Sequence, residues 1–348
     1  MSPKLASLLD RLIAPALALA LAMAIGHVLI LVAGASPPEV FGALLAGTWG
    51  NGYGIAQVLF KATPLVFTGL AVAIPYRAGL FNIGAEGQVV AGALAAGFVG
   101  SHLPTAAPAL VAVTTCVIAA FMAGALWGAL PGWLRGRFGA HEVITSIMLN
   151  FIAMALANWV VADFLAQPQT LHTAAIVDGA RLTRLGSWLP AFRGSAVNTA
   201  LFLVPVVVAG TAWLLNRTAT GHQLRSVGLG ARVAEASGVP VARVQTLAMA
   251  LGGGMAGMVG VNFVQGYKGY FEDGFSGGVG FMGIAVAMLA RAEPWLLIPA
   301  ALLFATLSQG GLAINALVPK EIVDVLVAVV LVVAAAAGAR SARREEGS

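Results

Sequence analysis

Hydrophobic and polar positions alternate along the chain as long apolar runs separated by short polar connections. A bilayer core of about 30 Å needs about 20 mostly apolar residues per helix. The pattern therefore predicts about ten membrane spans, near residues 12–34, 54–75, 83–100, 104–131, 143–165, 197–215, 244–264, 279–290, 294–313 and 321–338. The eighth segment is short and starts within GFSGGVGFMG, so it either spans fully or is partly re-entrant. The predicted fold class is all-α, a polytopic transmembrane helical bundle in a single domain, 1–348.

The positive charges indicate an orientation for this bundle. With the N-terminus inside, 13 of the 19 Lys and Arg residues fall in cytoplasmic connections and five fall outside, while Lys61 lies within a span. Cytoplasmic loops carry an excess of Lys and Arg, so this bias predicts an N-in/C-in topology with an even number of spans. The first apolar run continues to about Ala33, longer than the core of a signal peptide, so we expect a retained first helix.

Composition narrows the class of protein further. Hydrophobic residues make up 59% of the chain and charged residues only 9%, against about 25% charged in soluble domains. These values exclude a soluble cytosolic enzyme and a disordered chain. The net charge of +5 comes from arginines scattered in short loops, which indicates membrane topology rather than nucleic-acid binding. The expected location is the cell (inner, cytoplasmic) membrane, in contact with lipid.

Polar groups within the predicted spans are the first candidates for function, because ionisable groups in a bilayer are costly. Lys61 either reaches the outer interface or a structural partner, or lines a pathway. In GLFNIGAEGQ (79–88), Asn82 and Glu86 lie among glycines. This stretch is either a tight turn with a satisfied helix cap or the lining of a conduit.

Two further patterns lie in predicted spans. In HEVITSIMLNF (141–151), helical spacing puts Glu142 and Asn150 near one face, which either binds neighbouring helices or lines a cavity. LGGGMAG (251–257) lies within an apolar span, where small residues favour close helix packing over phosphate binding.

The connection 216–243 is the sizeable segment that the topology places in the cytoplasm. Residues 231–237 are predicted to form a short helix that ends at Gly238 and Pro240. Such a helix suits docking into a groove on a partner, or is part of an ordinary surface loop. The candidate docking residues are Arg225, Val227, Arg232, Val233, Glu235, Gly238 and Arg243.

Patterns of enzymatic chemistry are absent from the sequence. It contains no G-x-x-x-x-G-K-[ST] motif and no H-E-x-x-H motif, and its single cysteine, Cys116, cannot form a cysteine metal cluster. We therefore expect no catalytic residue, no metal site and no ATPase site in this chain.

Four motifs in register resemble a known family. GLFNIGAEGQ (79–88), HEVITSIMLN (141–150), GARVAEASGVPVAR (230–243) followed by LGGGMAGMVG (251–260), and GFMGIAVAMLAR (280–291) occur in this order. The combination is similar to permease subunits of ABC importers, in the family of branched-chain amino acid and ribose permeases. More narrowly, it resembles the nucleoside-type permeases that work with lipoprotein-like binding proteins. The resemblance covers about residues 50–335.

The resemblance implies a division of labour among several proteins. A second permease subunit, a paralogue, completes the pathway, and an extracytoplasmic solute-binding protein delivers the solute. A separate cytoplasmic ABC ATPase binds ATP and Mg²⁺, so this chain itself holds no cofactor. By the same resemblance, residues 221–243 are the coupling loop that docks on the ATPase.

A nucleoside needs amides, hydroxyls and aromatic faces in its path rather than paired charges. Phe151, Phe263 and Phe275 are therefore pathway candidates beside Asn82 and Asn150. The alternatives are import of a sugar, an amino acid or a vitamin by the same machinery, and a self-sufficient secondary transporter.

Overall fold

The computed structural model describes residues 23–319 and, outside this range, residues 20, 21, 321, 324, 325, 328 and 329. This part of the chain is helical and has isolated β-bridges but no strand. Its α-helices are α1 (Met23–Val32), α2 (Pro37–Thr48), α3 (Gly52–Tyr76), α4 (Ala85–His102), α5 (Ala109–Phe138), α6 (Glu142–Val160), α7 (Leu203–Arg217), α8 (Ala219–Leu229), α9 (Ala231–Ala236), α10 (Val241–Gly257), α11 (Val279–Leu289) and α12 (Leu297–Ile314). One π-helix, Val161–Leu165, extends α6, and another, Val261–Lys268, continues the direction of α10.

Among the described residues, fewer helices are long and apolar enough to cross a membrane than the hydrophobic pattern predicts for the chain. Within the described residues, six helical stretches are long and apolar enough to cross a membrane: Gly52–Tyr76, Ala109–Phe138, Glu142–Leu165, Thr199–Arg217, Val241–Lys268 and Pro294–Ile314. The pair α1 and α2, bent by 118°, makes a seventh if it counts as one span. The prediction of about ten spans is therefore not confirmed, and the predicted segment 321–338 lies almost wholly outside the described residues. The all-α class is confirmed for the described part, and the N-in/C-in orientation stays a prediction.

Helices α3 and α10 form the centre of the bundle. Of the 18 most apolar consecutive residues in α3, 89% are buried, and in the helical stretch that contains α10 the buried share is 72%. The same measure is only 22% in the stretches that contain α5 and α6. Helix α3 packs on α10, α11 and α12, and α10 packs on α5 and α4. Helices α5 and α6 therefore present most of their apolar surface outward, as membrane-facing helices do.

The packing prediction for residues 251–257 is confirmed. A Cβ atom at Gly253 would lie 2.9 Å from Cα of Gly128, and one at Gly257 would lie 3.2 Å from Cα of Gly124. The backbones of α5 and α10 are thus in direct contact, which larger side chains would prevent.

The connections collect at two opposite ends of the bundle. At one end, the cap segment (residues 166–198) covers the helix ends, and its Val177 and Leu182 donate backbone hydrogen bonds to Gly100 and Gln265. We name this the cap end. The other, the α8–α9 end, contains the ion pair between Arg77 and Glu293, at 2.6 Å. The cap segment, a connection predicted outside, and the connections that contain Arg77 and Glu293, which are predicted inside, thus lie at opposite ends.

Candidate functional site: a broken crossing, a polar pocket and an exposed short helix

The chain between the second π-helix and α11 crosses half of the bundle without being helical. We name residues 269–278 the broken segment. It passes along α4 from Gly97, whose Cβ would lie 2.9 Å from Cβ of Phe271, to the start of α4, where Ser276 contacts Glu86. Eleven helical residues separate Gly97 from Glu86, so the broken segment covers about 16 Å of depth.

The course of the broken segment depends on its glycines. Gly274, Gly277 and Gly278 have φ angles of 72°, 55° and 81°, a region that other residues rarely adopt. Helix α11 then continues for 11 residues, or about 16 Å, to the end where Arg77 meets Glu293. The broken segment and α11 together therefore cross the bundle as an irregular half followed by a helical half, and α11 coincides with the predicted eighth segment.

Glu86 lies where these two halves meet, near the middle of the bundle. Gly283 packs on Thr68, about 12 Å from the end of α3, and Gly280, one turn earlier in α11, packs on Glu86. Glu86 is therefore about 16 Å deep, close to the centre of a bilayer core of about 30 Å.

The carboxylate of Glu86 holds the start of α11. It accepts a hydrogen bond from the backbone N–H of Gly280, at 2.7 Å, and one from the hydroxyl of Ser276. The negative charge also faces the positive end of the α11 dipole. Glu86 thus ties the broken segment to α4 at mid-depth.

We expect Glu86→Ala to loosen the broken segment. The substitution leaves the Gly280 N–H and the Ser276 hydroxyl without their acceptor in a buried place, which costs about 1–3 kcal/mol. Hydrogen exchange of the peptide covering 270–284 in detergent should become faster, while exchange in α5 stays unchanged. Glu86→Gln keeps an acceptor oxygen and should have a smaller effect, and equal protection in Glu86→Ala and the wild type would contradict this role.

The three amide side chains of the predicted 79–88 and 141–151 motifs, Asn82, Gln88 and Asn150, find their hydrogen-bond partners inside the chain. Asn82 and Gln88 exchange two amide hydrogen bonds, at 2.9 and 3.0 Å. Asn150 accepts from the backbone N–H of Gly87, at 2.8 Å, and donates to the carbonyl of Ile83, at 3.0 Å. The structure thus brings Asn82 and Asn150 to the start of α4, where they hold the turn before that helix.

Glu142 lies apart from this network, at the α8–α9 end. It forms an ion pair with Arg135 and accepts a hydrogen bond from the backbone N–H of Phe81, at 3.4 Å. Phe151 is 65% exposed on α6, which packs mainly on α4 and α5. Neither residue lines the pocket that contains Lys61.

Lys61 lines a polar pocket in the half of the bundle nearest the cap end. It lies nine residues, or about 14 Å, into α3. Its Nζ donates to the carbonyl and the hydroxyl of Ser308 on α12, at 3.3 Å each. The pocket has a volume of about 630 Å³. Its side-chain lining includes Asn51, Tyr53, Gln57, Phe60, Lys61, Arg184, Ser195, Tyr267 and Gln309.

A row of aromatic rings joins this pocket to the broken segment. Phe60 contacts Tyr267 and Phe263, with ring centroids 5.4 and 5.6 Å apart. Phe263 contacts Phe275, at 5.4 Å. The structure therefore brings the predicted candidates Lys61, Phe263 and Phe275 to one face.

Sequence reasoning missed Phe60, Gln57, Tyr267 and Ser276 on this face. Gln57 is four residues before Lys61, so it lies on the same side of α3, and this spacing could have identified it. Tyr267 and Ser276 come from a distant part of the chain, and no local signal links them to α3.

The predicted docking helix is α9. It covers Ala231–Ala236 and is followed by Gly238, with φ of 84°, as the sequence predicts. Arg232, Val233 and Glu235 are exposed, and so is Arg243 at the start of α10.

Two other predicted docking residues face inward. Val227 is only 3% exposed and packs in an apolar cluster with Leu224 and Leu215, and Arg225 donates to the carbonyl of Leu215. They hold α8 against α7, and their docking role stays a prediction. Instead, Leu229, 92% exposed, lies with Val233, 73% exposed, at the junction of α8 and α9. The sequence analysis did not identify Leu229, because a leucine at the end of a helix is usually interpreted as a core residue.

Comparison with known proteins finds a matching family and several related permeases. The family model described as "Branched-chain amino acid transport system / permease component" matches residues 54–335. The guanosine ABC transporter permease protein NupP of Bacillus subtilis is 34% identical over 334 residues, covering 93% of this chain and 92% of that protein. The glucose ABC transporter permease protein TsgB13 of Haloferax volcanii is 31% identical, with 91% and 85% covered. The nucleoside ABC transporter permease protein NupB of Lactococcus lactis is 30% identical, with 92% and 90% covered. Each of these organisms has a second matching ABC transporter permease, at 25–31% identity over 258–280 residues.

Proposed function

The chain belongs to the family of branched-chain amino acid transport system permease components, and from this premise we propose that it carries nucleosides through the cell membrane. It is a multi-pass membrane protein and an ABC importer permease. Guanosine and nucleoside permeases among its relatives, which match it over most of its length, support the nucleoside as solute. A glucose permease of similar identity makes a sugar the second candidate.

The broken segment carries the proposal that one face of this chain is half of a conduit. Non-helical backbone at membrane depth is tolerated only where protein buries it or where it lines a water-filled cavity. Asp273, Gly274 and Gly277 are exposed in the single chain, so lipid does not suit this surface. The pocket around Lys61 meets the same surface through Phe263. We therefore place the solute path along this face.

A half-conduit needs a second wall. We propose that a paralogous permease subunit supplies it, as the paired permeases of the related organisms suggest. An extracytoplasmic binding protein then delivers the solute at the cap end, which we take to be the outer end in an N-in/C-in orientation.

The energy for transport comes, in this proposal, from a separate ATPase. The sequence has no P-loop motif. Helix α9 is short, exposed and joined directly to α10, one of the two central helices, by the residues 237–240. A partner that moves α9 would therefore move the centre of the bundle, and we assign α8–α9 as the docking site of the ATPase.

Reconstitution tests this proposal. We expect liposomes with both permease subunits, the ATPase and the binding protein to take up radiolabelled guanosine when ATP is enclosed with the ATPase. This chain alone should show no uptake under an ion gradient, because its conduit face is incomplete. Uptake by this chain alone would show a secondary transporter and refute the proposal. Competition by unlabelled glucose but not by guanosine would favour the sugar.

A further inference from the structure

The pocket around Lys61 carries an inference about which solutes the conduit accepts. Its lining contains two cationic side chains, Lys61 and Arg184, and no carboxylate among the described residues that form it. We infer that this pocket is a solute-binding station in the outer half of the conduit, selective for ring-containing solutes that present carbonyl acceptors and carry no positive charge. This inference rests on the proposed transport function and deepens it.

Lys61 retains hydrogen-bonding capacity for a ligand. An ammonium group has three N–H donors and no acceptor. Ser308 accepts two of these bonds, both long at 3.3 Å, so the third N–H and part of the charge are available to the pocket. A cation at this depth stays in place only beside polar groups or water. A carbonyl oxygen of a solute is a suitable partner for it.

The remaining walls suit a flat ring. Tyr267 and Phe60 present aromatic surfaces, and the Arg184 guanidinium lies 5.7 Å from the Tyr267 ring centroid. Arg184 is held there by its hydrogen bond to the Tyr267 carbonyl, at 2.8 Å. Gln57, which donates to the Tyr53 hydroxyl at 2.8 Å, adds an amide. A volume of about 630 Å³ lies within the ~300–1,000 Å³ of small-molecule sites.

The electrostatic part of this inference can be tested without any transported solute. The single native cysteine, Cys116, is buried, so Gln57→Cys provides one accessible thiol in the pocket. In the complete assembly, we expect an anionic methanethiosulfonate reagent to modify Gln57→Cys roughly tenfold faster, relative to its rate with a free thiol, than a cationic one. Adding Lys61→Met should reduce this preference, and adding Lys61→Glu should reverse it. Equal rates for the two reagents, or no effect of the charge at position 61, would overturn the inference.

Transport then tests the preference for a carbonyl. Guanosine and 2,6-diaminopurine riboside differ in whether the ring carries a carbonyl oxygen or an amine at the same position. The same binding protein, saturated with either solute, is used with every permease variant, so a changed ratio of the two transport rates belongs to the permease. We expect Lys61→Met to slow guanosine roughly ten- to hundredfold and to slow the diamino analogue much less. Lys61→Arg, which keeps the charge and the donors, should retain most of the preference.

The outcomes separate this inference from the proposed function. If the wild-type assembly transports guanosine and Lys61→Met slows the transport of both solutes equally, the pocket does not distinguish a carbonyl from an amine. The nucleoside function then still stands. If the wild-type assembly transports no nucleoside, the nucleoside function fails, and the thiol experiment still decides whether the pocket excludes cations.

Discussion

Replacing Gly253 by valine should prevent this chain from folding in the membrane. The α5–α10 crossing is a contact between backbones, in which a Cβ atom at position 253 would meet the carbonyl of Gly124 and lie 2.9 Å from Cα of Gly128. Neither is the end of a flexible side chain, so the helices themselves have to separate. We expect a cost of about 3 kcal/mol or more, because overpacking costs about 1–3 kcal/mol even where side chains can adjust.

The measurement is the yield of monodisperse protein after detergent extraction, followed by size-exclusion chromatography of a fluorescent fusion. Gly210→Val is the matched control, because Gly210 is an exposed glycine within α7 and nothing lies within 4 Å of its Cβ position. Gly210→Val should elute like the wild type, whereas Gly253→Val should be lost or aggregated. A monodisperse Gly253→Val would mean that the α5–α10 contact does not determine the fold.

The sequence predicts that residues 251–257 pack closely, but not which helix they meet. Small residues in an apolar run are a local signal, and the period of that run shows that they belong to a helix. The partner, Gly124 and Gly128, lies more than 100 residues earlier, in a helix that contains many other small residues. The local pattern therefore predicts that residues 251–257 pack closely, whereas only the fold shows that they pack on α5.

The span count shows a second limit of hydropathy. The apolar run that starts near residue 279 corresponds to α11, and hydropathy does not show that the more polar residues 269–278 before it cross the other half of the bundle. The start of the chain shows the same limit, because α1 and α2 are both apolar and the 118° bend between them lies at Gly34 to Ser36. Glycines mark both breaks, and Pro37 and Pro38 follow the first, but these residues permit a bend without requiring it.

The candidate site was predicted in part. The unusual polar residues were found from the sequence because an amide or a carboxylate in an apolar run needs a partner. Their partners are distant in sequence: Asn150 bonds to Gly87 and Ile83, and Glu86 bonds to Ser276 and Gly280. Whether a polar residue binds its neighbours or faces a conduit depends on these contacts, which spacing alone does not determine. The pathway role of Asn82, Glu86, Glu142 and Asn150 therefore stays a prediction.

Val233→Asp should abolish ATP-driven uptake while leaving the permease folded. Val233 and Leu229 together expose apolar surface at the α8–α9 junction, and a partner groove that buries them would have to desolvate a carboxylate in the variant. Loss of even 3 kcal/mol of binding weakens the complex about a hundredfold. We expect Val233→Leu, which keeps the apolar surface, to transport, and Val233→Asp to fail to retain the ATPase during co-purification.

The charged side of the same helix should behave similarly. Arg232→Glu reverses an exposed charge on α9, and Gly238→Val places a β-branched residue at a φ of 84°, which forces α9 to change its angle to α10. Both variants should insert and elute normally, since no atom lies within 4 Å of the Gly238 Cβ position. Solute uptake should be lost in both.

The two variants should differ in whether the ATPase stays bound. Arg232→Glu should reduce retention of the ATPase during co-purification, whereas Gly238→Val should leave a bound ATPase that hydrolyses ATP without moving solute. If both variants import solute at the wild-type rate, α9 does not transmit the movement, and the energy must enter the bundle elsewhere.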